Sequence, residues 1–497
     1  MSKLAEHWRL WTRDDAVVEQ NILAGKETEP VLTAYGDNDL VLGFLMQSKL
    51  WAVMTGMEAD GLRCRNGYSP KVLNGVEVIR ELAAIKRIQH CGKVLHDTRL
   101  MMQAGFNLEQ LARASRDNRG VIDTETLSNH LGRISPPSAQ QAFREHLQLI
   151  RRKRWLRGTL YVADAHEIII PYGRRHERLG QVGAKHGFKL VILINISEDQ
   201  ERIVGFSFAP LPTSEKSMLA GILRRLDRDL APLAKWLKIL ILDRGYWGAE
   251  YLLGLHRQYG IDLVTRAQHD GLQVVDWIDT AAGVADWQEQ REERSRLGTI
   301  RVKVAGVPNV PLYAEGERLI GYVNAVVADE YDLAGKRLKD EDGNERGRFY
   351  YITTLDYGGE PYRMRGLYRK RWVVENQGFR ELSQAWALNT LVGRSFKANY
   401  ARLGFVFMLY NAERILRWKY GERWAAEKQR LADWGEQGRL GGLTVVVYTK
   451  DGRLGLYSVK RYRELVQRAE RHQVVRIIRV GLEQGRDPRD LLNEVEP

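Results

Sequence analysis

As far as about residue 155 the chain spaces its apolar residues three and four apart, the period of helices with one buried face. The stretch NGVEVIRELAAIKRIQHCGKVLHDTRLMMQ (74–103) carries this pattern most clearly. The next segment, NLEQLARASRDNRGVIDTETLSNHLGRI (107–134), predicts two short helices about a turn at Asn118-Arg119-Gly120, with Asp123 or Thr124 capping the second. It reads equally as a plain helical hairpin or as a helix-turn-helix. In the second reading Thr126, Asn129, His130 and Arg133 face outward, where they suit base-edge and phosphate contacts. SPPS at 135–138 punctuates the chain, and the basic run Arg151-Arg152-Lys153-Arg154 follows as a solvated face or a phosphate contact.

From 159 the pattern changes to strands. TLYVADAHEIII, FKLVILINIS and RIVGFSFAP form a meander, and EKSMLAGILRRLDRDL is an amphipathic helix. WLKILILD is continuously apolar and so reads as a strand buried on both faces. A helix near 248–259 and the strand IDLVTRA complete a mixed α/β sheet. TIRVKV, RLIGYVNAVVA and RFYYITTL then lie among Gly-, Pro- and charge-rich turns, as a β-rich insertion. DEDGNE at 340–345 lacks the full ligand pattern of a calcium loop and reads as a hairpin turn. Helices return at 362–386 and 397–420, and the tail holds a hairpin turning at Asp451-Gly452 followed by a basic helix. The expected organisation is a helical domain over 1–155, a core over 156–267 and 361–420, an insertion over 268–360 and a small α/β tail over 421–497.

Composition narrows the function classes. A surplus of 76 Lys+Arg over 63 Asp+Glu gives a net charge of +13, which favours polyanionic partners. Cys64 and Cys91 stand outside any CxxC pair, arguing against a disulfide framework or thiolate zinc site. No apolar run approaches the roughly eighteen residues that span a bilayer. The N-terminus lacks the apolar centre of a signal peptide, so a cytoplasmic protein without membrane contact is expected.

Three carboxylates carry the candidate chemistry. Asp164 lies on the first core strand and Asp243 follows the buried strand at its C-terminal end, where open α/β sheets place ligands. Each alone reads as a cap or turn residue; the pair raises a metal site. In LYRKRWVVENQGFREL, Tyr368, Arg371 and Glu375 fall at i, i+3 and i+7 on one helical stripe. An exposed Arg–Glu pair would look the same, but the apolar flank Trp372-Val373-Val374 packs this helix on the sheet and aims the stripe into a cleft. His166-Glu167 opens no HExxH zinc register.

On Tyr368, Arg371 and Glu375, together with DRGYW at 243–247, the chain resembles the bacterial insertion-sequence DDE transposases over about 159–420. Those enzymes have a ribonuclease-H-like core with an inserted β-domain, and their final core helix carries Tyr-x2-Arg-x3-Glu-x6-Lys. Leu382 departs from the pattern at the Lys position. The resemblance implies Asp164, Asp243 and Glu375 as catalytic, metal-binding carboxylates for two Mg²⁺ ions, with Mn²⁺ as a substitute. It implies Tyr368 and Arg371 as DNA contacts, with Arg380 as the candidate replacement for the Lys. Phe349 and Tyr350, and behind them Trp277 and Trp287, are candidates to stack a flipped DNA base. The implied partners are double-stranded DNA with inverted-repeat ends, target DNA and a second copy of the chain, with the 421–497 tail a dimerisation candidate. A nucleoid-associated location follows. Two other readings stay open: a host-adopted ribonuclease-H-like nuclease, and a DNA-binding repressor with a vestigial core.

Overall fold

The computed structural model describes residues 12–26, 28–33, 36–61, 68–91, 95–106, 121–171, 175–197, 201–267, 273–295, 298–314, 318–338, 347–437, 444–449 and 453–483. The chain divides into two compact units, one formed by Met1–His146 with Lys397–Pro497 and the other by Leu147–Phe396.

In the first unit the periodic stretch 74–103 forms not one helix but several pieces. Ser69 caps the helix Pro70–Leu82 by accepting from Val72 N, and Pro70 sits at its first turn, where a missing N–H costs nothing. Ala84, at a φ of 54°, ends it in the left-handed region. A 3-10 turn, Ile88–His90, and the helix Thr98–Ala104 follow. The first helix expected in 107–120, with its turn at Asn118-Arg119-Gly120, lies outside the described residues, as does Cys64. Asp123 does cap the second, Thr124–Arg133, accepting from Glu125 N. Buried charges hold this unit together. Arg80 pairs with Glu77 and Glu81, and Arg402 reaches the same Glu81 from a helix more than 300 positions later, Nε to Oε1 at 2.7 Å.

Strands β1 (Thr12–Arg13) and β2 (Thr28–Thr33) pair with the C-terminal hairpin strands Thr444–Thr449 and Arg453–Ser458 in one four-stranded sheet. Val18, Ile22, Val445, Val447, Tyr457 and Leu465 share its core. The tail expected to stand apart at 421–497 therefore folds with the start of the chain. A two-stranded hairpin is marginal alone, and β2, aligned Thr33 to Thr444, supplies its third strand. The turn at Asp451-Gly452 lies outside the described residues.

The second unit is built on one sheet. Strands β3 (Leu160–Ile169), β4 (Gly180–Val182), β5 (Lys185–Asn195) and β6 (Arg202–Pro210) pair antiparallel. Strands β7 (Ile239–Leu242) and β8 (Asp262–Arg266) continue the sheet parallel to β3. The helix Glu215–Asp229 packs Met218, Leu219, Ile222, Leu223 and Leu226 against β5 and β6. Gly205 of β6 permits that approach, since a Cβ there would stand 2.3 Å from Ile222 Cγ2.

The insertion does not form a sheet of its own. Its strands β9 (Arg291–Ser295), β10 (Gly298–Tyr313), β11 (Leu319–Tyr331) and β12 (Arg348–Thr353) extend the core sheet, because β12 pairs with the free edge of β8, Tyr351 opposite Arg266. The helix Gln273–Ala282 covers it with Val274, Val275 and Ile278. The DEDGNE turn lies outside the described residues.

Candidate active site

Sheet register brings the two aspartates together. Strands β3 and β7 run parallel with Ala163 beside Leu242, so one further step sets Asp164, midway along β3, alongside Asp243, just past the C-terminal end of β7. Neighbouring strands lie roughly 4.8 Å apart. Asp164 is buried, its Oδ1 accepting from Ala165 N at 2.8 Å. Asp243 precedes a 3-10 turn, its carbonyl accepting from Tyr246 N at 3.0 Å. On the β8 side the Thr265 hydroxyl donates to that same carbonyl at 3.4 Å.

Arg371 faces both carboxylates. Its Nη1 lies 3.4 Å from Asp164 Oδ2 and its Nε 3.5 Å from Asp243 Oδ1, so a single positive charge bridges the pair. The guanidinium also lies over the rings of Tyr368, at 5.9 Å, and Trp372, at 5.2 Å. Tyr368 is itself buried, tilted against Tyr351 at 5.3 Å. Burial pushes its hydroxyl up to about 12, a shift that Asp243 reinforces and Arg371 opposes. In this arrangement Tyr368 supports Arg371 rather than presenting a free face.

The helix carrying these residues departs from the uniform α-helix expected over 362–386. Pro361–Arg369 and Arg371–Val373 are α-helical, Val374–Phe379 forms a π-helix and Arg380–Gln384 returns to α. A π turn takes more residues than an α turn, which rotates every later position. The stripe drawn from Glu375 to position 382 is therefore broken. Leu382 is fully buried and Arg380 is exposed, so nothing in this geometry puts Arg380 in place of the expected Lys. Glu375 lies on the π-helix, which packs against β3, but its side chain is outside the described residues. Phe379 closes the π-helix by stacking on His166 at 5.1 Å, and His166 Nε2 lies 2.7 Å from Asn389 Oδ1.

The insertion anchors the preceding helix through a buried ionic cluster. Arg365 donates to Glu330 at 2.6 Å, to Glu293 at 3.0 Å and to the Tyr351 hydroxyl at 3.0 Å. Arg369 also pairs with Glu293. The stacking candidates fare differently. Tyr350 is in the insertion core, its hydroxyl donating to Asp279 Oδ2 at 2.6 Å, and Phe349 is half-buried beneath Arg266 at 4.4 Å. Trp287 is partly buried and donates to Ala282 O, whereas Trp277 is 47% exposed. Of the four, Trp277 alone is exposed.

Among the four outward positions expected on Thr124–Arg133, the structure corrects His130. Its ring is buried, with Nε2 2.7 Å from Asn74 Oδ1, and Asn74 in turn donates to Thr55 O and Met57 O. Burial, aided by Arg133, pulls its pKa down to about 4, so it is a neutral core residue closed to DNA bases. Asn129 and Arg133 are exposed and Thr126 half-buried. Part of the basic run is committed to packing, Arg151 over Trp236 and Lys153 over Trp155.

A family model described as "Transposase DDE domain" matches residues 155–412. The chain belongs to this transposase family. Its mixed sheet carries Asp164 on β3 and sets Asp243 just past the end of the adjacent parallel strand β7. No curated protein gives a significant match. Among solved structures, a piggyBac transposase synaptic complex with hairpin DNA is similar at 9% identity over 78% of each chain, with a TM-score of 0.33.

Two residues beside the carboxylates of this site had been assigned no role in it from the sequence. His166 stands two positions from Asp164, and strand alternation puts both on one face. Tyr246 belongs to the quoted DRGYW, yet only the fold shows its ring fully buried behind Asp243. Among the described residues no group of three acidic, His or Cys side chains is arranged to hold a metal. Asp164 and Asp243 nevertheless offer what a hard divalent metal ion takes, carboxylate oxygen donors, and they already gather around one cation, the guanidinium. The donor set fits the ion that the family implies. No described helix is long and apolar enough to cross a membrane.

Proposed function

We propose that this transposase cuts DNA at the ends of a mobile element by metal-dependent phosphodiester hydrolysis and joins the freed 3′-OH to target DNA. The supporting observation is the convergence of Asp164 and Asp243, from neighbouring parallel strands, on one cationic group. Two Mg²⁺ ions would supply charge neutralisation on both the attacking and leaving oxygens of an in-line displacement. Asp164 and Asp243 would hold them, with Glu375 as third carboxylate on the π-helix that packs against β3.

The chain's own groups then divide the remaining work. Arg371 grips a phosphate beside the scissile bond, since a guanidinium matches two phosphate oxygens at once. The buried Tyr368 ring backs that guanidinium, with Tyr351 packed behind Tyr368, and the Arg365–Glu293–Glu330 cluster fixes the helix that carries Tyr368. Trp277 is an exposed aromatic of the insertion and serves as the base-stacking candidate. Asn129 and Arg133 supply DNA contacts from the N-terminal region, consistent with the basic surplus. The homodimer and the inverted-repeat ends belong to the same reading.

Asp164→Asn, Asp243→Asn and Glu375→Gln should each abolish Mg²⁺-dependent cleavage of element-end DNA while leaving binding nearly intact. Substantial cleavage by any two of these variants refutes the assignment.

A further inference from the structure

The place between Asp164 and Asp243 that suits a divalent cation is taken by the Arg371 guanidinium, at 3.4 Å and 3.5 Å from the two carboxylates. The same guanidinium is the group best shaped to hold a DNA phosphate, and it cannot do both. We propose that Arg371 makes cation binding and DNA binding at this site interdependent: it is the counter-ion of the carboxylates until a phosphate draws it away. The inference rests on the metal-site reading above.

Burial and charge support it. The Arg371 side chain is 11% exposed and that of Asp164 12%, so solvent screens their attraction little. Asp243, at 33%, forms the more open side of the pair. A divalent ion entering there meets a fixed positive charge and carboxylates already engaged, which lowers its apparent affinity by the fraction of molecules in the arginine-bound state. A phosphate offers Arg371 two oxygens in exchange for two longer contacts. The guanidinium rests beside Trp372, which is 38% exposed, so the site is bordered by solvent on that side. Linkage then requires reciprocity: whatever factor DNA adds to cation affinity, the cation adds to DNA affinity.

The test is calorimetric titration of Mn²⁺ into the full-length protein, with and without a short mixed-sequence duplex at low salt. It compares wild type with Arg371→Gln, Arg371→Ala, Asp164→Asn and Asp243→Asn. Without DNA, both Arg371 variants should bind Mn²⁺ at least about fivefold more tightly than wild type. The duplex should tighten Mn²⁺ binding in wild type by a larger factor than in either variant. Arg371→Gln keeps much of the stem and so retains the test if Arg371→Ala folds poorly. DNA-free Mn²⁺ affinities equal to or weaker than wild type in the Arg371 variants, with binding lost in the Asp variants, overturn the coupling alone. Wild-type Mn²⁺ binding by both Asp variants removes the metal site itself, and the coupling with it.

Discussion

Tyr246→Phe isolates a buried hydroxyl that the fold leaves unsatisfied. The Tyr246 side chain is fully buried, and its hydroxyl has no hydrogen-bond partner among the described residues. Burial first, then the negative charges of Glu215, Asp164 and Asp243, hold its pKa well above the ordinary value, so it stays protonated and neutral. A buried hydroxyl without a partner costs about 1–3 kcal/mol relative to its hydrated state in the unfolded chain. Phenylalanine keeps the ring and its packing and removes only that oxygen. The variant should therefore unfold with about 1–2 kcal/mol more free energy than wild type, taking the lower part of that range because the site can relax. For a unit of this size that corresponds to a rise of roughly 2–8 °C in the melting temperature. Differential scanning calorimetry of the metal-free full-length protein, with a urea series at constant m-value, measures it. A melting temperature that falls in Tyr246→Phe would mean the hydroxyl has a partner, a bound water or a carboxylate, and the reasoning would be wrong.

Elsewhere in the molecule, Arg402→Ala leaves Glu81 buried with one fewer guanidinium, and should cost about 3–5 kcal/mol in urea unfolding. A loss below about 1 kcal/mol would show the Arg80 partner to be sufficient. Acidification should weaken the first unit. Burial pulls His146 down to about 3, as it pulls His130 to about 4, so both folded values lie below the unfolded one. The unfolded chain thus takes up protons first: stability is full above about pH 6.5 and falls toward the folded values by up to roughly 1.4 kcal/mol per pH unit per histidine. Equal urea midpoints at about pH 7 and about pH 5 would contradict that origin.

Much of the core was legible in the chain because strands announce themselves locally. RIVGFSFAP is β6 residue for residue, and EKSMLAGILRRLDRDL is the helix Glu215–Asp229 but for its last Leu. Asp164 and Asp243 became candidates through strand order, since a carboxylate on the first core strand and another just past the end of a buried strand are both local features. What the residues could not declare was any pairing between distant segments. β2 joins a hairpin more than 400 positions away, and β12 docks on β8 to merge the insertion with the core sheet. Both choices depend on which free edge lies within reach once the chain collapses.

Periodicity also misled where it was assumed uniform. His130 fell on the outward side of a helical projection, yet Asn74, a residue of another helix, captures its ring in the core. Leu382 sat at the Lys position by counting, yet the π-helix Val374–Phe379 turns it inward. Local propensity and residue spacing by themselves determined the order of strands and helices and the residue types fit for the chemistry. The tertiary structure alone decided that Arg371 would rest between Asp164 and Asp243 and that Tyr350 would be spent on Asp279, because side-chain partners and burial belong to the packed arrangement and not to the sequence interval.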